Sequence, residues 1–158
     1  MTAIEVETEA DRAEVEALYD LCFAPGREAL SSYRLRDGVP PVAPLCLVYR
    51  DYGAVAGAIR YWPIEVAGEK GLLLGPVAVH PTRQGEGLGA VLVEESLALA
   101  TGWPWVILIG DAPYYSKFGF SKVSVDFPPP TNPERILARD LSGRRLAHLT
   151  GPVTKVSG

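Results

Sequence analysis

Only two cysteines, two histidines and one methionine occur among the 158 residues. Cys22 closes an apolar helical stripe and Cys46 lies in an apolar run. Two such thiols, with no CxxC spacing, exclude a disulfide framework and predict buried free thiols in a cytoplasmic protein. His80 and His148 have no ligand-like spacing and no Cys/His cluster exists, so no metal site is expected. Positive charge is scarce as well: 15 Lys and Arg stand against 19 Asp and Glu, a net charge of -4. Nucleic-acid binding needs a basic face, and the pair Arg144–Arg145 does not make one, so no nucleic-acid partner is expected. No stretch approaches the roughly 18 apolar residues of a membrane span, so no membrane partner is expected. The start, Met1-Thr2-Ala3-Ile4-Glu5, has neither the basic nor the apolar region of a signal peptide.

What is present is an ordinary folded composition, 47% apolar and 22% charged, over a length that suits one domain, 1–158. Ile4 and Val6 alternate with acids as a short edge strand does. Thr8 and Asp11 form a plausible helix start. Val15, Leu18, Leu21 and Cys22 follow at helical spacing, and Pro25-Gly26 stops that helix. A second helix fits 27–36. Leu45 to Tyr49 and Ala54 to Trp62, joined by Asp51-Tyr52-Gly53, predict an antiparallel hairpin. Gly71 to Val79 is a nearly continuous apolar run, as in a doubly buried strand. Gly75-Pro76 interrupts it and demands a bulge or splay, because proline donates nothing to a sheet ladder. A helix follows, with Leu88, Leu92, Glu95 and Leu99 on one face, ended by Gly102. Then come a strand at Trp105 to Ile109 and short helical turns at Tyr114 to Phe118, closed by Gly119. Strands fit Val123 to Phe127 and Ile136 to Leu141, with another in the tail from Leu146 to Val156. Hairpins at both ends and one strand–helix–strand unit between them predict an α/β layer fold with a mixed, mostly antiparallel sheet.

The most informative chemistry is in Gln84-Gly85-Glu86-Gly87-Leu88-Gly89. Three glycines alternate after a buried strand and at a helix start. Missing side chains let a ligand reach the backbone, and the unpaired amides and partial positive charge of a helix N-terminus suit a phosphate. Gly85, Gly87 and Ala90 also fit a dinucleotide fingerprint, with Asp111 where a ribose-binding acid would stand. His80 to Gln84 nevertheless separate the strand from the first glycine, and the unit lies between hairpins. A Walker loop is excluded, since no Lys-Ser or Lys-Thr follows.

Val77-Ala78-Val79-His80-Pro81 followed by Gln84-Gly85-Glu86-Gly87-Leu88-Gly89 resembles motif A of the GNAT superfamily of acetyl-CoA-dependent N-acyltransferases. Tyr115-Ser116-Lys117-Phe118-Gly119-Phe120 resembles the end of its motif B, in the same order and spacing. The resemblance is strong over 71–120. It implies a single-domain fold whose sheet splays at the acetyl-CoA site and is flanked by helices. It implies that Val77, Ala78 and Val79 run beside the pantetheine, with backbone groups of Val77 and Val79 facing its amides. Gln84, Gly85, Glu86, Gly87, Leu88, Gly89 and Ala90 would then surround the pyrophosphate, with Arg83 or Gln84 reaching an oxygen. Tyr115 matches the general acid that protonates the leaving thiolate, a role suited to a phenol protonated at pH 7; Tyr114 is the alternative. The implied reaction is direct attack of an amine, small-molecule or peptide, on acetyl-CoA as cosubstrate. The strand from Gly71 to Val79 lacks the carboxylate often found there. Asp111 is a candidate base, against the alternatives of a surface acid or a cap for the short helix near Pro113; Glu65 and Glu28 are weaker candidates. Two other functions stay open: a Rossmann-like nicotinamide-binding protein and a non-catalytic acyl-CoA-binding domain. Neither the acceptor nor the oligomeric state is readable, and a homodimer stays open.

Overall fold

Nearly continuous apolar runs build the central strands and apolar residues three and four apart build the helices; the computed structural model describes residues 2–23, 35–129, 131–143, 146 and 149–156. The predicted stop at Pro25-Gly26, most of the helix at 27–36, Glu28, Arg144, Arg145 and His148 lie outside the described residues. The chain forms two compact units, one of Met1–Glu28, Pro41–Tyr61 and Gly75–Ala100, the other of Ala29–Pro40, Trp62–Leu74 and Thr101–Gly158.

The first unit begins with β1 (Thr2–Val6), which pairs antiparallel with β2 (Leu47–Asp51). Strand β2 in turn pairs antiparallel with β3 (Ala54–Val66), with a register shift at Tyr49/Arg50. The hairpin is therefore as predicted, although β3 runs past Trp62 and Pro63. Between β1 and β2 lies α1 (Arg12–Phe23). A turn at Glu9–Asp11 leads into it, where the Thr8 amide donates to Asp11 Oδ2 at 2.9 Å. Asp11 is buried and also pairs with Arg50. The buried stripe of α1 is Val15, Leu18 and Tyr19, whereas Leu21 is 56% exposed. Leu21 falls off the stripe because burial follows positions 15, 18, 19 and 22, the i, i+3, i+4, i+7 face. Val15, Leu18 and Tyr19 pack with Val48, Val55, Ala58 and Ala78, and Cys22 joins them half-buried. Arg60 is buried in the same unit, its guanidinium forked onto Glu7 at 3.0 and 2.7 Å and paired with Glu16. Such a charge is tolerated inside only when paired this fully.

Strand β4 (Glu69–Val79) passes through both units, as β3 does. Its Gly75-Pro76 peptide is cis. Helix α2 (Leu88–Leu99) buries Leu92, Val93, Ser96 and Leu97. The expected face of Leu88, Leu92, Glu95 and Leu99 is thus rotated: Leu99 is 52% exposed and Glu95 is exposed. Ser96 can lie inside because its hydroxyl bonds the Leu92 carbonyl at 2.7 Å and Tyr61 Oη at 2.8 Å, which removes the penalty of a buried polar group.

In the second unit β4 pairs parallel with β5 (Trp105–Ile109) through Leu72↔Val106 and Leu73↔Ile107. Parallel neighbours need a crossover, and α2 lies in that connection. Strand β5 pairs antiparallel with β8 (Ile136–Asp140), which also pairs with β6 (Ser121–Lys122). Strand β9 (Thr150–Lys155) pairs antiparallel with β3 and parallel with β7 (Ser124–Asp126). The strand expected at Val123 to Phe127 appears as the shorter β7, and the separate β6 precedes it at Ser121–Lys122. Trp62, Ile64, Leu73, Trp105, Ile107 and Ile136 centre this unit's core. Fully burying an aliphatic or aromatic side chain of this kind contributes roughly 1.5–3 kcal/mol. The indole of Trp105 keeps its donor satisfied on Glu69 Oε1 at 2.8 Å. The architecture is mixed α/β with mostly antiparallel pairing, as predicted.

Candidate active site

Between β4 and α2 the chain makes a short turn at Pro81–Arg83 and then the glycine loop. Gly85 and Gly87 have φ of 88° and 79°. In that left-handed region an L side chain is strained, so glycine belongs there. A Cβ added at either position would meet nothing within 4 Å. Gly87 is the residue before the first turn of α2, which contains no acidic residue. The first bond back to it, Val91 N to Gly87 O, is 3.1 Å, so the amides of Leu88, Gly89 and Ala90 precede the helix's own ladder. Bare backbone, unladdered amides and the positive end of a 12-residue helix fit an anionic phosphate.

The side chains around the loop differ from expectation. Arg83 is committed to carboxylates: its Nε lies 3.0 and 3.1 Å from the two Glu86 oxygens, and its Nη1 pairs with Asp51. Gln84 folds back, its Nε2 donating to the Val79 carbonyl at 3.3 Å. The same carbonyl accepts from Cys22 Sγ at 3.3 Å, while Tyr19 Oη donates to the Pro76 carbonyl at 3.1 Å. Helix α1 thus holds two carbonyls of β4. Burial pushes the Cys22 thiol above its ordinary pKa, against the bond to Val79. These contacts join residues 57 apart, and no local pattern announces them. Ala78 points into the core, whereas Val77 and Val79 are half-buried.

In the second unit Asp111 and Tyr115 come together in one turn. Helix α3 (Ala112–Tyr115) starts from Asp111, whose Oδ2 accepts the Tyr114 amide at 3.0 Å. The capping alternative for Asp111 is therefore realised, at an exposed position. A further turn at Ser116–Phe118 ends at Gly119, with φ of 87°. The ring of Tyr115 is flanked by Tyr114 at 4.9 Å and Phe120 at 6.0 Å, centroid to centroid. Phe118 and Phe120 are buried, as expected. Burial, with smaller help from Tyr114 and Asp111 and opposed by Arg135, pushes the Tyr115 phenol up to about 12. Tyr114 is more exposed and carries the Lys117 ammonium 4.1 Å from its ring centroid. Glu65 lies on β3, opposite Thr154 of β9. Sequence reading missed Gly110 as a positional requirement, along with the Arg83–Glu86–Asp51 cluster.

Residues 43–122 match the family model described as an acetyltransferase (GNAT) domain. The chain is 34% identical over 122 residues to the uncharacterized N-acetyltransferase YhbS of Escherichia coli, covering 74% of this chain and 72% of that protein. It superimposes on the crystal structure of YhbS in complex with CoA with a TM-score of 0.81 at 30% identity, covering 98% of this chain and 89% of the other. A GNAT family acetyltransferase from Brucella melitensis in complex with acetyl-CoA gives 0.67 at 30% identity, covering 91% and 99%.

Proposed function

Because the chain belongs to the GNAT superfamily of N-acetyltransferases, we propose that it transfers the acetyl group of acetyl-CoA to a primary amine by direct attack. The observation that carries this reading is the loop itself: two left-handed glycines with open space beside them, immediately before an acid-free helix start. Gly85, Glu86, Gly87, Leu88, Gly89 and Ala90 would hold the pyrophosphate through backbone amides. Gln84 supports them from its bond to Val79, and Val77, Ala78 and Val79 form the strand for the pantetheine. Acetyl-CoA supplies the thioester whose acyl carbon the amine attacks.

The departing thiolate needs a proton, and we assign it to Tyr115 Oη. A phenol raised to about 12 is protonated at neutral pH and so carries a proton it can donate. Asp111 is proposed as the second member. Its carboxylate caps the turn that carries Tyr115, helps keep that phenol protonated, and offers negative charge to a cationic amine. The acceptor is a small molecule or a peptide amine. Residues 1–158 act as one catalytic domain: β3 and β4 each supply both units, and the family match runs through both. The two free cysteines, Cys22 and Cys46, fit a reducing, cytoplasmic compartment. Among the described residues no helix is long and apolar enough to cross a membrane.

Thermal-shift titration with CoA, acetyl-CoA and NAD tests the reading, followed by an amine screen with free-thiol detection. Stabilisation by CoA and acetyl-CoA but not NAD, with thiol release dependent on an amine, is the expected result. Stabilisation by NAD alone would return the loop to the dinucleotide reading. CoA binding without thiol release for any amine would favour a non-catalytic acyl-CoA-binding domain.

A further inference from the structure

The phosphate loop carries an acid of its own. Glu86 stands one residue before Gly87, directly ahead of the helix N-terminus that suits an anion. A carboxylate at that place can itself occupy a helix start, because free amides and the positive end of the dipole attract any nearby anion. Left alone, it would compete with a diphosphate and repel it.

Glu86 is instead engaged on the other side by Arg83. Both of its oxygens lie within 3.1 Å of Arg83 Nε, and Nη2 is 3.0 Å from Oε1. The guanidinium is fixed at a second point by Asp51, at the end of β2, and stands 5.8 Å from the ring centroid of Tyr49 on the same strand. Arg83 is therefore not a free cation waiting for a phosphate. It is a bracket between β2 and the loop, with one acid on each side.

We propose that Arg83 is a positioning residue for acetyl-CoA, which acts by holding and neutralising Glu86 so that the loop's own carboxylate neither caps α2 nor repels the pyrophosphate. The inference rests on the acetyl-CoA reading above. Removing Arg83 leaves Glu86 and Asp51 as two uncompensated charges beside the phosphate position. In water-like surroundings the loss of one positive charge beside a doubly charged pyrophosphate would cost about five- to tenfold in affinity. The loss should shrink as salt rises, since the charges are exposed to screening.

The test is the CoA dissociation constant, measured calorimetrically at low and high salt for wild type, Arg83→Gln and the double variant Arg83→Gln/Glu86→Gln. Arg83→Gln should bind CoA about five- to tenfold more weakly at low salt, with the difference narrowing at high salt. The double variant should recover most of the loss, although it lacks one more side chain of the cluster. A double variant as weak as the single one overturns the proposal, because it would mean that Arg83 touches the phosphate or serves only as a tie to β2. Wild-type affinity in Arg83→Gln overturns it as well. Wild type that binds no CoA overturns the acetyl-CoA reading itself, and this inference with it.

Discussion

Gly110 has no side chain because the ring of Tyr115 occupies the place one would take: an added Cβ would lie 2.6 Å from Tyr115 Cε2. The end of β5 and the start of α3 are thereby pressed together, and the phenol is seated by backbone rather than by a flexible neighbour. Gly110→Ala should displace the ring. Overpacking of this kind costs typically about 1–3 kcal/mol, so the melting temperature should drop, and turnover should fall more than CoA affinity does. Calorimetry and steady-state kinetics on one preparation check both; an Ala variant with unchanged melting and turnover would contradict the contact.

Tyr115→Phe removes one hydroxyl and keeps the ring in its aromatic cluster. Turnover should fall by roughly 10²–10⁴-fold, the usual cost of losing a general acid, while the CoA dissociation constant stays near wild type. The raised phenol also sets an alkaline signature. Its folded pKa, about 12, lies above the ordinary 10. The stability it contributes is therefore fully present below pH 10 and lost as pH rises toward 12. Tyr115→Phe should remove that part of the alkaline decline in a denaturation series.

Asp111→Asn separates charge from capping. Asn caps a helix about as well as Asp, so melting should be preserved, whereas Asp111→Ala should cost about 1 kcal/mol. Loss of the charge should lower kcat/KM for a cationic amine without weakening CoA binding. An Asn variant with a wild-type rate at every pH would leave Asp111 as a cap alone.

Gly87→Val places a branched side chain at φ of 79° in the open space beside the loop. The left-handed conformation costs a β-branched residue about 1–2 kcal/mol, so some stability is lost. CoA affinity should fall by about tenfold or more, since each lost hydrogen bond to a charged group is worth roughly 1.5–3 kcal/mol. A folded variant with wild-type CoA affinity would move the pyrophosphate elsewhere.

Asp11 gives an acid-side prediction. The hydrogen bond from Arg50, followed by that from the Thr8 amide, holds its carboxyl at about 2, below the ordinary 3.8. A depressed carboxylate stabilises the fold above its unfolded pKa, and the contribution disappears as pH falls from about 4 toward 2. Asp11→Asn should flatten that part of the stability curve and leave the neutral-pH rate intact. An unchanged acid limb would show that Asp11 contributes nothing to it.

Local chemistry was enough to read some of this protein from its sequence. The glycine loop before α2, the cap at Asp111 and the turn closed by Gly119 depend on residues a few positions apart, where φ preference and capping act. The strand and helix order followed from apolar spacing for the same reason. Tertiary structure alone decided the rest. Leu21 and Leu99 are apolar yet exposed, because the neighbouring strands and not the period choose which stripe of a helix is covered. The strand expected at Val123 to Phe127 shrinks to Ser124–Asp126, because only those residues find a partner, β9, that the fold brings near. Arg83 reads as a cation for a phosphate; its pair with Glu86, three residues on, is local, but only the return of β2 beside the loop brings Asp51 to it. Contacts between residues distant in the chain leave no period and no spacing, so they become legible only once the backbone has closed on itself.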